Sequence, residues 1–238
     1  MATSDNVKLL GGWMSPFVIR VRIALNIKAI KYEFVEENMG AKSELLLKSN
    51  PVHKQIPVMI HNDNPICESL IIVEYIDEFW SSGPQILPSD PYDRAIARFW
   101  AAYIDDKFFP SMRAVGLGTA QTDEAINAAI HQLQECLALL EDAFKKISNG
   151  KKFFGGDNIG YLDIALGCNL GWVRVIENVN NVKLFDEEKT PCLFKWTKDI
   201  CEDPATKDAI PETEKMLEYA KMIVAWMRGL VDKLVMID

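Results

Sequence analysis

Residues 11–20, GGWMSPFVIR, join two different apolar patterns near the start of the chain. Before them, residues 7–10 form a short apolar run that predicts a strand. After them, apolar residues recur at helical spacing from residue 17 to about residue 28, which predicts a helix. Ser15 and Pro16 therefore stand at a strand-to-helix junction, where serine is a preferred cap and proline a preferred first helical residue.

The segments that follow predict a small mixed sheet. Residues 32–36 alternate like a strand and residues 42–48 can form a short helix. Residues 56–60 and 65–67 predict a hairpin around a turn, and residues 69–80 predict another helix. The order βαβαββα implies an α/β domain in which helices pack on a four-stranded sheet with parallel and antiparallel pairs.

Two clusters rich in Ser, Gly and Pro, at residues 81–84 and 87–91, mark a domain boundary. No convincing strand follows them, so we predict one domain over residues 1–82 and an all-α domain over residues 90–238. Asp90 before Pro91 predicts the start of a long helix that runs to about residue 115. Further helices are predicted at residues 126–147, 162–177, 192–201 and 212–229.

Composition excludes several classes of function. The chain has 238 residues, 49% hydrophobic and 25% charged, which is ordinary for a globular protein. Its net charge of -8 argues against nucleic acid and anionic membranes, because both attract clustered Lys and Arg. Small molecules or proteins are the expected partners. The first residues lack a signal-peptide pattern and no apolar run reaches membrane-spanning length, so a cytosolic protein is expected.

Cysteine and histidine spacing gives no sign of a disulfide framework or a metal site. The five cysteines are widely spaced and form no C-x-x-C pair. The histidines, His53, His61 and His131, follow no zinc-binding pattern and are predicted to be surface or capping residues. We therefore expect no metal cofactor.

Three junctions carry the candidate chemistry. Ser15 either caps a helix or helps its N-terminus to bind an anion, and the two interpretations are compatible. The proline in Ile56-Pro57 fits a cis bond, which would leave the Ile56 main chain free for an extended, peptide-like ligand. Ser69 with the first-turn amides suits a carboxylate and Glu68 an ammonium, although capping alone would explain Ser69. A ligand with a carboxylate, an amine, a peptide bond and a reactive anion fits all three.

Four stretches together resemble the plant tau-class glutathione S-transferases: GGWMSPFVIRVRIAL, AKSELLLKSNPVHKQIPVMIHNDNPICESLIIVEYIDEFW, LPSDPYDRAIARFWAAYIDDK and FFGGDNIGYLDIALG. The resemblance spans nearly the whole chain. It implies a thioredoxin-like N-terminal domain, a helical C-terminal domain that contributes a hydrophobic substrate site, and a homodimer. The peptide-like ligand is then expected to be glutathione.

The resemblance also implies roles for individual residues in the first domain. Ser15 becomes the catalytic hydroxyl, which donates a hydrogen bond to the glutathione sulfur and favours its thiolate. Lys42 is expected to bind the glycine carboxylate of glutathione, and Ile56, ahead of cis-Pro57, its cysteinyl main chain. Glu68 and Ser69 are expected to hold the γ-glutamyl end. One position departs from the family, since relatives usually carry lysine where this chain has Gln55, so contact with the glycine end is expected to be weaker.

The hydrophobic electrophile is expected where the two domains meet. The residues that match this pocket in relatives are Met14, Phe17, Phe109, Met112, Arg113 and Trp172. Core packing is an equal alternative for Phe109 and Trp172, because aromatic residues at helical spacing are usually core. Asp163 is expected to have a folding role as half of a reciprocal helix cap, since Gly160 replaces the hydroxyl residue of many relatives.

Three functions remain for such a protein. The first is an enzyme of detoxification or stress metabolism that conjugates glutathione to hydrophobic electrophiles, with side activity on organic hydroperoxides. The second, thiol-disulfide exchange, would need a cysteine at position 15, because only sulfur can form the mixed disulfide. The third is a non-catalytic carrier of hydrophobic small molecules, which needs only the pocket.

Overall fold

A computed structural model describes residues 6–38, 40–116 and 122–227 of the chain. The chain forms two compact units, the first ending at Gln85 and the second beginning at Ile86. This division lies between the two clusters rich in Ser, Gly and Pro, in the segment that separates the predicted domains 1–82 and 90–238.

The first unit contains a four-stranded sheet and three helices. The elements are β1 (Val7–Gly11), α1 (Pro16–Ile27), β2 (Glu33–Glu36), α2 (Glu44–Ser49), β3 (Val58–His61), β4 (Asn64–Cys67) and α3 (Ser69–Phe79). The strand order is β2-β1-β3-β4, with β1 and β2 parallel and the other pairs antiparallel. The predicted βαβαββα order and mixed sheet are confirmed.

α1 packs against α3, and each helix buries one apolar face, although Ile71 and Phe79 of α3 are exposed. One buried ion pair joins them, because the Lys28 ammonium lies 2.7 Å from the Asp77 carboxylate. A correction concerns His61, which was predicted at the surface or at a cap. Its side chain is buried, and its Nδ1 lies 2.8 Å from the Tyr75 hydroxyl, because β3 lies inside the sheet.

The described part of the second unit is helical, apart from an isolated bridge between Phe153 and Gly156. Its α-helices are α4 (Pro91–Tyr103), α5 (Phe109–Gly116), α6 (Asp123–Ile147), α7 (Tyr161–Gly167), α8 (Leu170–Asn180), α9 (Pro191–Glu202), α10 (Pro204–Lys207) and α11 (Thr213–Met227). Asp90 caps α4 as predicted, since its side chain accepts from the N–H groups of Tyr92 and Asp93. None of the described helices is long and apolar enough to cross a membrane. The predicted helix end at residue 229 lies outside the described residues.

Two predicted helices are interrupted, and each interruption has a local cause. A π-helical stretch, Ile104–Phe108, separates α4 from α5 just before Pro110, whose ring lacks an N–H and would clash in a regular turn. The predicted helix over residues 162–177 is two helices, α7 and α8. There the Asn169 side chain donates to the carbonyls of Ala165 and Leu166, so it competes with the backbone ladder.

Candidate active site

The sheet register brings the three predicted junctions to one end of the first unit. Leu10 of β1 pairs with Val58 of β3, and Val58 pairs with Cys67 of β4. The chain after β1, the chain before β3 and the chain after β4 therefore leave the sheet together. A Cβ added to Gly12 would lie 3.6 Å from the Ile56 side chain, which shows how closely the first two junctions approach.

Ser15 precedes α1 in an extended conformation, and its side chain does not cap the helix. Its main chain is satisfied, because its N–H donates to Gly12 and its carbonyl accepts from Ile19. The Ser15 hydroxyl makes no hydrogen bond within the described residues. Ser15 occupies the predicted N-cap position ahead of Pro16, but its side chain makes no capping bond, so a half-buried hydroxyl beside a helix N-terminus is available to a ligand.

The Ile56-Pro57 peptide bond is cis, as the sequence indicated. Within the described residues neither the N–H nor the carbonyl of Ile56 makes a hydrogen bond. Ile56 is half-buried and Pro57 is buried. The junction before β3 thus presents one donor and one acceptor of the main chain, as an extended peptide requires.

Glu68 and Ser69 differ in their exposure. Glu68 occupies the cap position of α3 with a left-handed backbone, φ 71°, which is a strained conformation for a residue with a side chain. Its carboxylate is 58% exposed and lies 3.8 Å from His53 Nε2. Ser69 is the first residue of α3 and is buried, so the proposal that it caps this helix is wrong.

Arg20 is a residue of this region that the sequence reasoning missed. Its side chain is 1% exposed, and its Nη1 donates to Ser69 Oγ over 3.3 Å. The Ser69 hydroxyl therefore keeps its own proton for a ligand. The sequence contained a signal for this residue, because Arg20 stands between the apolar residues Ile19 and Val21 of α1. A charged side chain at such a buried position usually has a partner.

Lys42 and Gln55 are brought close to each other. The Lys42 ammonium donates to the Lys54 carbonyl over 2.7 Å, and Asn50 Nδ2 donates to the Gln55 carbonyl over 2.9 Å. The side chains of the two predicted residues, Lys42 and Gln55, are exposed. Lys54 has φ 53°, so the backbone of this segment is not extended. The rule that neighbouring side chains of an extended segment point to opposite faces therefore does not apply to Lys54 and Gln55.

Glu37 is a second residue that the sequence reasoning missed. It follows β2, and its buried carboxylate accepts from the N–H of Ser43 and, over 2.6 Å, from the Ser43 hydroxyl. Ser43 in turn caps α2. Glu37 thereby fixes the loop that carries Lys42.

The residues predicted for the electrophile occur in both units. Met14 and Phe17 flank Ser15 and are half-buried. In the second unit α5 packs against α8, and a Cβ added to Gly116 at the end of α5 would lie 3.6 Å from the Trp172 ring. The predicted residues on these two helices are Phe109, Met112, Arg113 and Trp172. Met112 and Trp172 are buried, Phe109 is half-buried and Arg113 is exposed.

Asp163 lies in the core of the second unit. Its carboxylate accepts from the N–H groups of Phe154, Gly155 and Gly160 and from Trp196 Nε1, at 2.7 to 2.9 Å. The Gly160 bond is the predicted half of the cap, and glycine has no side chain to supply the other half. Burial raises the pKa of Asp163 to about 6, against the four donors, which lower it. Asp163 thereby connects the loop of Phe154 and Gly155 with the start of α7 and with α9, so its role is in folding.

The comparisons with known proteins agree with this architecture. Residues 5–78 match the family model described as glutathione S-transferase, N-terminal domain, and residues 123–199 match glutathione S-transferase, C-terminal domain. The chain is 62% identical over 224 residues to glutathione S-transferase U17 of Arabidopsis thaliana, across 94% of this chain and 97% of that protein. It is 61% identical, with the same coverage, to glutathione S-transferase U18 of the same plant.

Solved structures give the same result. A tau-class glutathione S-transferase from mango, Mangifera indica, superposes with a TM-score of 0.88 at 64% identity, across 92% of this chain and 98% of that one. A rice glutathione S-transferase solved in complex with glutathione superposes with a TM-score of 0.86 at 32% identity, across 94% and 99% of the two chains. The chain therefore belongs to the glutathione S-transferase family, in its tau class.

Proposed function

We propose that this protein conjugates glutathione to hydrophobic electrophiles and that Ser15 stabilises the glutathione thiolate. The observation that carries the proposal is the Ser15 hydroxyl, which lies at the start of α1 and has no hydrogen-bond partner among the described residues. A free thiol has a pKa near about 8.5, and each unit by which the site lowers it corresponds to about 1.36 kcal/mol of preference for the anion. The Ser15 hydroxyl and the helix N-terminus both favour that anion.

The rest of the tripeptide is bound by the neighbouring junctions. The N–H and carbonyl of Ile56, ahead of Pro57, pair with the cysteinyl main chain of glutathione. Glu68 receives the ammonium of the γ-glutamyl end, and the Ser69 hydroxyl, which already accepts from Arg20, donates to its carboxylate. The glycine carboxylate is bound by Lys42 and Gln55. The Lys42 ammonium has three donors and uses one on the Lys54 carbonyl, so two remain.

The electrophile is held beside the thiolate, so proximity contributes much of the rate. We assign its apolar contacts to Met14, Phe17, Phe109, Met112, Arg113 and Trp172. In this assignment residues 1–82 bind glutathione and residues 90–238 contribute the hydrophobic site. Flexible methionines and aromatic rings suit varied hydrophobic substrates. Side activity on organic hydroperoxides would use the same thiolate.

The protein is also proposed to act as a cytosolic homodimer, in line with its family. The exposed aromatic residues Tyr92 and Phe99 on α4 and Phe79 on α3 support self-association, because exposed apolar surface commonly marks an interface.

Replacing Ser15 by alanine tests the mechanism. Ser15→Ala removes the hydrogen bond to sulfur, so conjugation of a chloro-nitroaromatic with glutathione should slow by about 10²-fold, comparable to losing one donor to a developing anion. Ultraviolet titration of bound glutathione should show the thiol pKa rising towards its free value. The control is Ser82→Ala, at an exposed serine of the same unit, which should behave as wild type. Equal rates and equal thiol pKa values for Ser15→Ala and wild type would refute the mechanism.

A further inference from the structure

His53 and Glu68 form a contact beside the proposed glutathione site that none of the roles assigned above uses. His53 lies in the loop between α2 and β3, and its Nε2 is 3.8 Å from Glu68 Oε1. Both side chains are more than half exposed, at 57% and 58%. Glu68 is the residue proposed to receive the ammonium of the γ-glutamyl end, so His53 adjoins the carboxylate on which that end depends.

This contact depends on the charge of the histidine. A distance of 3.8 Å is too long for a hydrogen bond, so the neutral imidazole makes no specific bond to Glu68. When the ring is protonated, its positive charge and the carboxylate attract each other as an ion pair. Histidine side chains change charge between about pH 5 and pH 8, so the pair forms as the solution becomes acidic.

The surroundings leave these two side chains to each other. Across the described ranges, His53 is the one cation within 4.0 Å of the Glu68 carboxylate, and Glu68 is the one carboxylate within 4.0 Å of the His53 ring. The nearby cations along the chain are Lys54 and Lys42, whose ammonium donates to the Lys54 carbonyl. Burial and, after it, the Glu68 charge raise the pKa of the Cys67 thiol, so Cys67 stays neutral below pH 8.

The main chain of Glu68 is held in place. Its φ is 71°, and its carbonyl accepts from the N–H of Ile72 over 2.8 Å in the first turn of α3. The carboxylate can therefore move only by rotation of its own side chain. A cation on one side of it repels a second cation that approaches the same carboxylate.

We propose that His53 is a proton-dependent competitor of the glutathione ammonium for Glu68. The inference rests on the proposed function, in which Glu68 binds the γ-glutamyl ammonium. Neutral His53 leaves the carboxylate to the ligand. After it takes up a proton from water, His53 pairs with the carboxylate and repels the ligand's ammonium. Glutathione binding is therefore weaker at acidic pH, and His53 acts on the ligand through Glu68 as a positioning residue.

Binding of S-hexylglutathione to the whole protein, measured by calorimetry at about pH 7 and about pH 5.5, tests this proposal. Its sulfur is alkylated, so no thiol titrates, and its ammonium and carboxylates keep their charges over this interval. We expect the dissociation constant to be about two- to fivefold larger at the lower pH, as for an exposed ion pair. Buffers of different ionisation enthalpy should show that binding near pH 6 releases protons.

Two substitutions at position 53 separate the charge of the side chain from its shape. His53→Gln carries no charge at either pH, so its dissociation constant should be the same at both. His53→Lys is charged at both, so it should bind at pH 7 as weakly as the wild type does at the lower pH. His131→Gln is the matched control, because His131 is 72% exposed and lies 3.5 Å from Glu135 on α6; it should keep the wild-type pH dependence.

Equal dissociation constants of the wild type at the two pH values would overturn the proposal, as would a pH dependence that His53→Gln retains. Tighter binding at the lower pH would also overturn it, because the charged ring would then attract a carboxylate of the ligand. These results leave the glutathione site itself intact, since S-hexylglutathione still binds. Absence of binding at both pH values would instead count against the proposed function.

Discussion

At the scale of single residues, the proposed glutathione site depends on side chains whose usual local roles are absent. The serine before α1 does not cap its helix, and the serine at the start of α3 accepts from a buried arginine. Glu68 adopts a left-handed backbone conformation, which is strained because residue 68 has a side chain and is not glycine. These residues adjoin the same end of the sheet, after β1 and after β4. Strain and unused hydrogen-bonding capacity are what a preorganised binding site is expected to retain.

Position 55 allows a prediction about affinity at this scale. Gln55→Lys places an ammonium close to Lys42, where the glycine carboxylate of glutathione is proposed to bind. An exposed ion pair contributes about 0.2–1 kcal/mol, so the glutathione KM should fall by up to about fivefold. The matched control is Val52→Lys, which adds the same charge at an 80% exposed position of the same loop. Equal KM values for the two variants would show that position 55 does not contact the ligand.

At the scale of elements, two buried carboxylates join the helices of the second unit. Glu141 of α6 accepts from the N–H groups of Cys192 and Leu193, and so caps α9, whose own residue Thr190 makes no side-chain cap. Burial raises the pKa of Glu141, but these N–H groups and Lys145 outweigh it, and the net pKa is lowered. Asp163 shows the opposite net shift, because its burial is complete.

Glu141 should make the second unit sensitive to acid. Its folded pKa lies below the unfolded value, so its contribution is present at neutral pH and is lost as pH falls through the folded pKa. At pH 7, Glu141→Gln should lower the free energy of unfolding by about 2 kcal/mol, as for hydrogen bonds to a charged group. The difference from wild type should shrink on acidification below about pH 4. Urea titrations measure it, with Asp142→Asn as control; a difference independent of pH would contradict the assignment.

Asp163→Asn should destabilise the fold strongly at pH 7, where the pKa of about 6 leaves the carboxylate ionised. Both carboxylate oxygens of Asp163 accept hydrogen bonds from buried donors. In Asp163→Asn the side-chain NH₂ replaces one of these oxygens and cannot accept, so at least one buried N–H loses its hydrogen bond. The expected loss is about 3 kcal/mol or more.

The pH dependence of Asp163 has the opposite sign to that of Glu141. Its folded pKa is raised, so the wild-type contribution from this group declines as pH rises from about 4 to about 6. The urea midpoint of Asp163→Asn, compared with Asp157→Asn at an exposed position of the same loop, measures the loss. Equal midpoints would rule out the folding role.

At the scale of the whole molecule, each unit has its own core, and exposed apolar residues remain on its surface. Phe99 of α4 is 60% exposed and Val179 of α8 is 68% exposed. If the protein is a homodimer through α4, Phe99→Asp should shift it towards monomer. Sedimentation should then give about the 26.9 kDa of one chain in place of twice that mass. Val179→Asp should stay dimeric, and a Phe99→Asp protein that sediments as wild type would exclude this interface.

Much of this protein could be predicted from the sequence, because local patterns act over a few residues. Period-two and helical spacing predicted the four strands, the order of elements in the first unit and the long helix α6. The proline in Ile56-Pro57 indicated a cis bond. Predictions were wrong where a nearby residue changed the local geometry, as with Pro110 just after the π-helical stretch and Asn169 between α7 and α8.

The sequence by itself determined the fold class and indicated candidate site residues, because strand-to-helix junctions have local signatures of Ser, Pro and Gly. Only the tertiary structure decided which hydroxyls are used and which remain available. Arg20 donates to Ser69, Ser43 donates to Glu37, and no described residue forms a hydrogen bond with Ser15 Oγ. The first of these contacts joins residues 49 positions apart. Hydrogen bonding depends on positions in space within about 3.5 Å, and such distances arise only once the sheet register and helix packing are formed.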